Sequence, residues 1–489
     1  MLKRYFLSNV LIMLVLNILV KPIWVFFIDR NVQLTVGHQD YGMYSALVSL
    51  TIIFNIVLDM GITNMNNKNL ASDASEIQFS LPNMMLAKGL LSLVYFSLIL
   101  GLAWLLNYSG RALYVLFMLA AVQMLNSFLQ YLRSYVSAHH DFKLDSVLSV
   151  LDKLLMIAIC GFLLYSNEFN SLFTIEWFIY TQLISYFISI SIAFGIVTKK
   201  YARLNLNHLS LSHMYGICKQ SLPYAFLILL MGIYMRSDSL LLERLEGAVQ
   251  NSYYAAAYRV LDIANMSGFL FAGILLPLFS RLIAKKHDIT YILKTSTTIL
   301  GSISIGFVAF CIIYSTPILT MLYPQDVEAI TPLFKLTIAS FPAFCFMYIF
   351  ATLLTANGNI NLLIKIALFG SLSSIILNLI LIHLYHATGA AFATLIVEWS
   401  LAILYIYFAQ QKLQLKPTYL LMLQFVGLFV GQLLINTGLN SLNCPIILAS
   451  VLNMVGFLIL VYGLKLWDKN TISSYIKQFK STRTWDRQA

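Results

Sequence analysis

Fourteen times the chain runs for about twenty residues with hardly a charge, the length an α-helix needs to cross the hydrocarbon core of a bilayer. The runs lie near 8–28, 41–63, 84–107, 112–135, 147–165, 174–197, 217–242, 253–281, 291–314, 331–355, 360–382, 387–410, 418–437 and 446–467. A membrane β-barrel would instead show alternating segments of about ten residues. With 60% apolar and 10% charged residues, the sequence predicts an all-α polytopic membrane protein. The connecting segments are too short for a soluble catalytic domain, and neither a P-loop nor a His-Glu-x-x-His zinc motif occurs. No enzyme is therefore expected, and transport driven by ATP would need a separate subunit.

The net charge of +11 suggests nucleic acid only until the charges are placed. With the N-terminus inside, Arg30, Arg111 and Arg244 are the cations expected in external loops, whereas Lys199, Lys200, Arg203, Lys285, Lys286 and the tail from Lys465 to Arg487 fall inside. That is the positive-inside pattern, and it predicts an even number of spans with both termini cytoplasmic and no nucleic-acid partner. The basic tail is also suited to anionic membrane lipid. The first run, although preceded by Lys3 and Arg4, is too long for a signal peptide and lacks a small-residue cleavage site, so it reads as a retained first helix. The five cysteines are scattered and read as small packing residues. The pairs His139/His140 and His383/His386 lack the further ligands a metal site needs.

Charges inside the spans are costly and usually face a cavity or a partner. Lys21, in the outer half of the first run, has no acid within four positions; it either reaches to the external interface or lines a cavity beside a helix kinked by Pro22. Arg236 and Asp238 are two apart and point to different sides, whereas Arg259 and Asp262 are three apart and can pair locally. Lys335, Lys365 and Lys88 lie near span ends where snorkelling is expected, and Asp152 and Lys153 are assigned to the start of the fifth span. Glu398 sits mid-span without a local partner: a proton or cation site, or the counter-ion of a distant cation. Asn17, Asn55, Asn126, Asn265 and Asn378 suit interhelical hydrogen bonds. Lys21, Arg236, Arg259 and Lys335 share one property: all fall in the expected outer halves, where topology does not call for positive charge.

A shift of 210 superimposes Gly37, Tyr44, Ala46, Ile53 and Asn55 on Gly247, Tyr254, Ala256, Ile263 and Asn265. Internal repeats are common in transporters. This one divides the chain into 1–200 (six spans), 201–415 (six spans) and 416–489 (a final pair and a basic tail).

The segment DYGMYSALVSLTIIFNIVLDMGITNMNNKNLA, Asp40 to Ala71, resembles the opening of bacterial polysaccharide flippases of the Wzx type: a Tyr-Gly-x-Tyr start to the second span and an Asp-x-Gly, here Asp59 and Gly61, at its end. The segments Ser221–Leu245 and Tyr253–Arg281 are similar to the start of that family's second lobe. The resemblance implies the superfamily of multidrug, oligosaccharidyl-lipid and polysaccharide exporters, with two six-helix lobes around a cavity that opens to alternate sides. Its cargo is an undecaprenyl-pyrophosphate-linked oligosaccharide, such as an O-antigen or capsular repeat unit, moved from the cytoplasmic to the outer leaflet of the bacterial inner membrane. The related lipid II flippases are described with cations on the first and eighth helices, so the resemblance favours Lys21 and Arg259, then Arg236 and Lys335, as ligands for an anionic head group. Asp59, Asp262 and Glu398 are the candidates for H+ or Na+ coupling, and no other cofactor is expected. The pathway implies a polymerase and glycosyltransferases as partners and a monomer as the working unit. The alternatives are an ion-coupled exporter of drugs or metabolites, expected to keep unpaired carboxylates, and a polysaccharide polymerase, expected to carry a long external loop.

Overall fold

The computed structural model describes residues 16–17, 19–60, 77–139, 141–166, 172–201, 211–415, 419–442 and 444–467. Gly61, His140, Arg203, the tail beyond Trp467 and the start of the first expected span lie outside them. Among the described residues there are helices and no strands, and eleven helices are long and apolar enough to cross a membrane. The chain is an all-α, multi-pass membrane protein. After helical residues from Leu16 onward comes a π-helical turn, Trp24–Asp29, and then α1 Arg30–Ile53, α2 Ile77–Leu105, α3 Gly110–Ala138, α4 Phe142–Tyr165, α5 Ile175–Lys200, α6 Leu211–Glu246 and α7 Ala248–Ala284. They are followed by α8 Thr290–Ile313, α9 Ser315–Leu322, α10 Val327–Ile338, α11 Phe341–Ala356, α12 Ile360–Leu413, α13 Tyr419–Ser441 and α14 Ile446–Gly463.

The helices follow the apolar runs, with three differences. Residues 19–53 of the first two runs form one helical rod with a break at Gly37, whose φ of 82° is open to glycine and closed to most residues. Arg30, expected in an external loop, is therefore helical. The run 331–355 is split between α10 and α11 by the turn at Ala339 and Ser340. The eleventh and twelfth runs are joined in α12, broken at His386 with φ 53° and ψ −136°; each arm exceeds the ~20 residues a crossing takes.

The chain forms two compact units, Met1–Arg259 with Ala367–Ala393, and Val260–Ile366 with Thr394–Ala489. The first unit has a core of buried Tyr95, Tyr131, Tyr135 and Phe178. In it the second arm of α1 lies against the α6–α7 corner, where a Cβ on Gly42 would sit 1.7 Å from the Ala248 carbonyl oxygen, so only glycine permits the approach. Asp141, between α3 and α4, caps α4 through the Leu144 N–H and accepts hydrogen bonds from Lys200 and Tyr201. The Lys200 contact is the chief reason its carboxyl titrates below the usual range. The second unit packs aromatic rings into glycine notches on α8: Phe346 and Phe425 on Gly301, Phe457 on Gly306.

Candidate functional site

The Tyr-Gly-x-Tyr segment is the hinge point of a buried network in the first unit. Tyr41 donates to both oxygens of Asp29, at 3.0 and 2.9 Å, and accepts from Arg259 Nη2 at 2.6 Å. Gly42 offers its carbonyl to Asn251 at 2.8 Å. Tyr44 accepts from Gln182 at 3.0 Å. The motif thus ties the second arm of α1 to the π-helical turn and α7 through Tyr41, to α7 again through Gly42, and to α5 through Tyr44.

Arg259, 5% exposed, sits at the centre of this network. Its Nη2 lies 2.8 Å and its Nε 3.0 Å from Asp29 Oδ2, and Nη1 donates to Gln33 Oε1 at 2.8 Å. Gln33 in turn donates to the Ser252 carbonyl and hydroxyl, both at 2.9 Å, and His38 Nδ1 lies 3.1 Å from the same hydroxyl. A buried arginine needs such a shell, because its desolvation is offset only when its charge and donors are matched. Arg259 forms an ion pair 230 positions back along the chain, to Asp29. Asp29, Gln33 and Tyr41 were missed as site residues; the sole signal was an acid one turn beyond a charged, proline-kinked stretch. Arg30 lies close enough for its charge to act on Arg259.

A second cluster surrounds Lys21. The charges that act on it are Lys153, Asp152 and Arg133. Lys153 pairs with Asp152 at 3.3 Å and lies 5.3 Å from the Trp24 ring centroid and 5.4 Å from that of Tyr186, within cation–π range. Arg133 pairs with Asp145 at 2.9 Å, and Asn17 donates to Ser149 at 3.0 Å. Lys21 itself, half-buried, has no hydrogen-bond or ion-pair partner among the described residues. Two expectations are corrected here. Asp152 and Lys153 do not start their helix, since α4 begins at Phe142 under the Asp141 cap and carries them about 15 Å inward. Lys21 is not in the outer half of its helix: the rod runs on to Gly37, about 24 Å away, and Lys21 shares its level with Asp152 and Lys153, about 15 Å along α4 from its start. The π-helical turn Trp24–Asp29 lies between the two clusters, two residues beyond Pro22. Such turns are often found at functional sites.

Lys88 is a third correction. In place of snorkelling, its side chain is 1% exposed, pairs with Asp59 at 2.7 Å, and donates to Ser127 at 2.7 Å and to the Leu58 carbonyl at 3.3 Å.

A family model described as "Polysaccharide biosynthesis protein" matches residues 6–283. The chain belongs to that family. Among curated proteins, none matches it in sequence. The lipid II flippase MurJ in an inward closed conformation matches in structure with a TM-score of 0.71 at 14% identity, covering 92% of this chain and 98% of that one. An inward-facing multidrug resistance MATE family transporter of the MOP superfamily matches with a TM-score of 0.66 at 14% identity, over 80% of this chain and 94% of that one. A MOP superfamily transporter from Pyrococcus furiosus, described as having a binding pocket of reversed polarity that suggests a different function, gives 0.56 at 14% identity over 83% and 94%. These likenesses place the fold of this polysaccharide biosynthesis protein among MOP transporters.

The remaining expected site residues of this polysaccharide biosynthesis protein are dispersed. Arg236 is half-buried on α6, and beside it Asp238 is buried and accepts from Tyr254 at 2.6 Å. Lys335 is exposed in the last turn of α10, and Lys365 is exposed near the start of α12. Asp262 is half-buried on α7, and Glu398 is buried on the second arm of α12. Among the polar asparagines, Asn55 donates to Gln123 at 3.4 Å and Asn378 to the Ser374 carbonyl at 2.9 Å, as interhelical and local bonds respectively. His386 Nδ1 lies 2.6 Å from Glu246, and no metal-holding group of His, Cys, Asp or Glu occurs among the described residues.

Proposed function

We propose that this protein is a flippase that carries an undecaprenyl-pyrophosphate-linked oligosaccharide, of the O-antigen or capsular repeat class, from the cytoplasmic to the periplasmic leaflet by alternating access. The observation that carries the reading is Lys21. It is a half-buried cation with no partner of its own, beside two further cations, Lys153 and Arg133, whose carboxylates Asp152 and Asp145 are already engaged. A membrane-embedded charge costs about 2.5–3.5 kcal/mol on insertion scales, so an unneutralised one points to an anionic ligand. Arginine forks such as that of Arg259 suit phosphate oxygens bidentately. Family membership in polysaccharide biosynthesis supports a glycan cargo.

In this reading Lys21 meets the pyrophosphate, Arg259 reaches it by exchanging its Asp29 and Gln33 partners for phosphate oxygens, and Arg236 is a further cationic contact. Polyprenyl tails stay in the bilayer while the protein shelters the charged head. A proton or Na+ gradient drives the cycle through Asp59, Asp262 or Glu398. The protein works as a monomer in the inner membrane with both termini cytoplasmic, supplied by glycosyltransferases and followed by a polymerase. The test is rescue of surface-polysaccharide display in bacteria lacking their own flippase, using several glycans, with Lys21→Ala and Arg259→Ala at matched abundance. Rescue by the unmutated protein and failure of both variants supports the reading. The neighbouring MATE folds suit the exporter alternative, and resistance to cationic dyes lost in Glu398→Gln would favour it.

A further inference from the structure

The second unit holds a cavity of about 650 Å³ enclosed by α8, α10–α11, the second arm of α12 and α13. Most of its wall is apolar, including Phe346, Phe425, Phe429 and Val308. Its exposed lip lies between α12 and α13, where Ile403 and Val426 are 61% and 60% exposed, so the opening faces the bilayer side of the helices. Its polar lining is Thr290, Lys294 and Thr297 along α8 and Gln410 on α12. Lys294 lies near the helix start. Thr297, one turn deeper at about 4.5 Å, is buried, and its hydroxyl has no hydrogen-bond partner among the described residues. Beyond it come only Ile305 and Val308.

We infer that this cavity binds one acyl chain of an anionic phospholipid. Lys294 meets the phosphate, the Thr297 hydroxyl donates to the glycerol ester carbonyl a few bonds further in, and the chain fills the apolar depth. Three features select this occupant. The hydroxyl left without a partner in a buried site requires an acceptor, since an unmade hydrogen bond there is costly. A phospholipid offers an ester carbonyl at that depth, whereas a polyprenyl pyrophosphate offers none. At about 30 Å³ per water-sized group, the volume holds roughly twenty such groups, enough for one acyl chain and too few for a long polyprenyl chain. The lipid is bound within one unit, behind the last helix pair, and this inference does not depend on the flippase reading.

Native mass spectrometry of the full-length protein, released from mild detergent and titrated with phosphatidylglycerol or phosphatidylethanolamine, tests it. The expected result is one tightly retained phosphatidylglycerol, with retention lowered roughly tenfold in Lys294→Gln and in Thr297→Val, as loss of one charged or one buried hydrogen-bonding contact implies. Thr297→Val preserves shape and keeps the test valid should a cavity-filling Ala402→Trp fail to fold. Equal retention of both lipids by all variants overturns the proposal. So does displacement of the phospholipid by undecaprenyl phosphate at equal concentration, which would assign the cavity to a polyprenyl tail.

Discussion

Arg259 and Asp29 lie 2.8 Å apart, although 230 residues separate them in the chain. The pair joins the end of the π-helical turn in the first helical rod to α7, and Tyr41 bridges both partners. Removing one member of a buried pair leaves the other uncompensated, at a cost of about 3–5 kcal/mol. Arg259→Met and Asp29→Leu singly are therefore expected to lower the thermal unfolding midpoint in detergent more than the double variant does. A double variant as destabilised as the sum of the singles would show that the two residues do not act on each other.

The Lys88–Asp59 pair separates stability from coupling. Lys88→Met alone takes the 2.7 Å ion pair from Asp59 and the Lys88 donor from Ser127 and the Leu58 carbonyl, and is expected to destabilise by about 3 kcal/mol. Adding Asp59→Leu restores most of that stability, because two apolar groups replace the pair. If Asp59 also carries the coupling ion, the restored double variant folds but does not transport. Transport at the normal rate by the double variant would remove Asp59 from the mechanism.

Gly42→Ala tests the close approach at the α6–α7 corner. The added Cβ meets the Ala248 carbonyl at 1.7 Å, backbone that cannot rotate away, so the helices must part and the Asn251 bond to Gly42 must lengthen. A loss of at least about 1–3 kcal/mol is expected, as for other overpacked contacts. Wild-type thermal stability in this variant would contradict the packing described for the motif.

How much of this was written in the sequence follows from what each feature depends on. The helices were legible because lipid demands long apolar runs, and even the faint repeat has a physical trace: Gly37 and Gly247, 210 positions apart, both break a helix with φ values of 82° and 91°. The segment Asp29-Arg30-Asn31 was misread as loop because three polar residues in a row resemble one. In fact Asn31 folds back onto the Phe27 carbonyl at 2.8 Å and the helix continues. Arg259 was legible as a buried cation, but its partners were not, since Asp29, Gln33 and Tyr41 reach it only through tertiary packing. Lys88 was misread for the same reason: the acid it pairs with lies 29 positions away, out of range of any local rule.

The Lys21 cluster gives a binding prediction. Lys21→Gln removes the cation without a partner and is expected to weaken binding of inorganic pyrophosphate to the purified protein roughly tenfold while leaving thermal stability within about 0.5 kcal/mol. Lys153→Gln, which removes the ion-pair partner of Asp152, is expected to lower both. Unchanged pyrophosphate affinity in Lys21→Gln, with binding still measurable in the unmutated protein, would place the anion elsewhere.

The most direct measurement is translocation itself. The protein is reconstituted into liposomes with an undecaprenyl-pyrophosphate-linked oligosaccharide in one leaflet, and its arrival in the other is read by an impermeant glycosidase. The account predicts protein-dependent transfer that is lost in Lys21→Gln and sharply reduced in Arg259→Lys, because an ammonium cannot reproduce the guanidinium fork. Protein-free liposomes transferring the lipid equally fast, or both variants transferring it at the unmutated rate, would contradict the central claim.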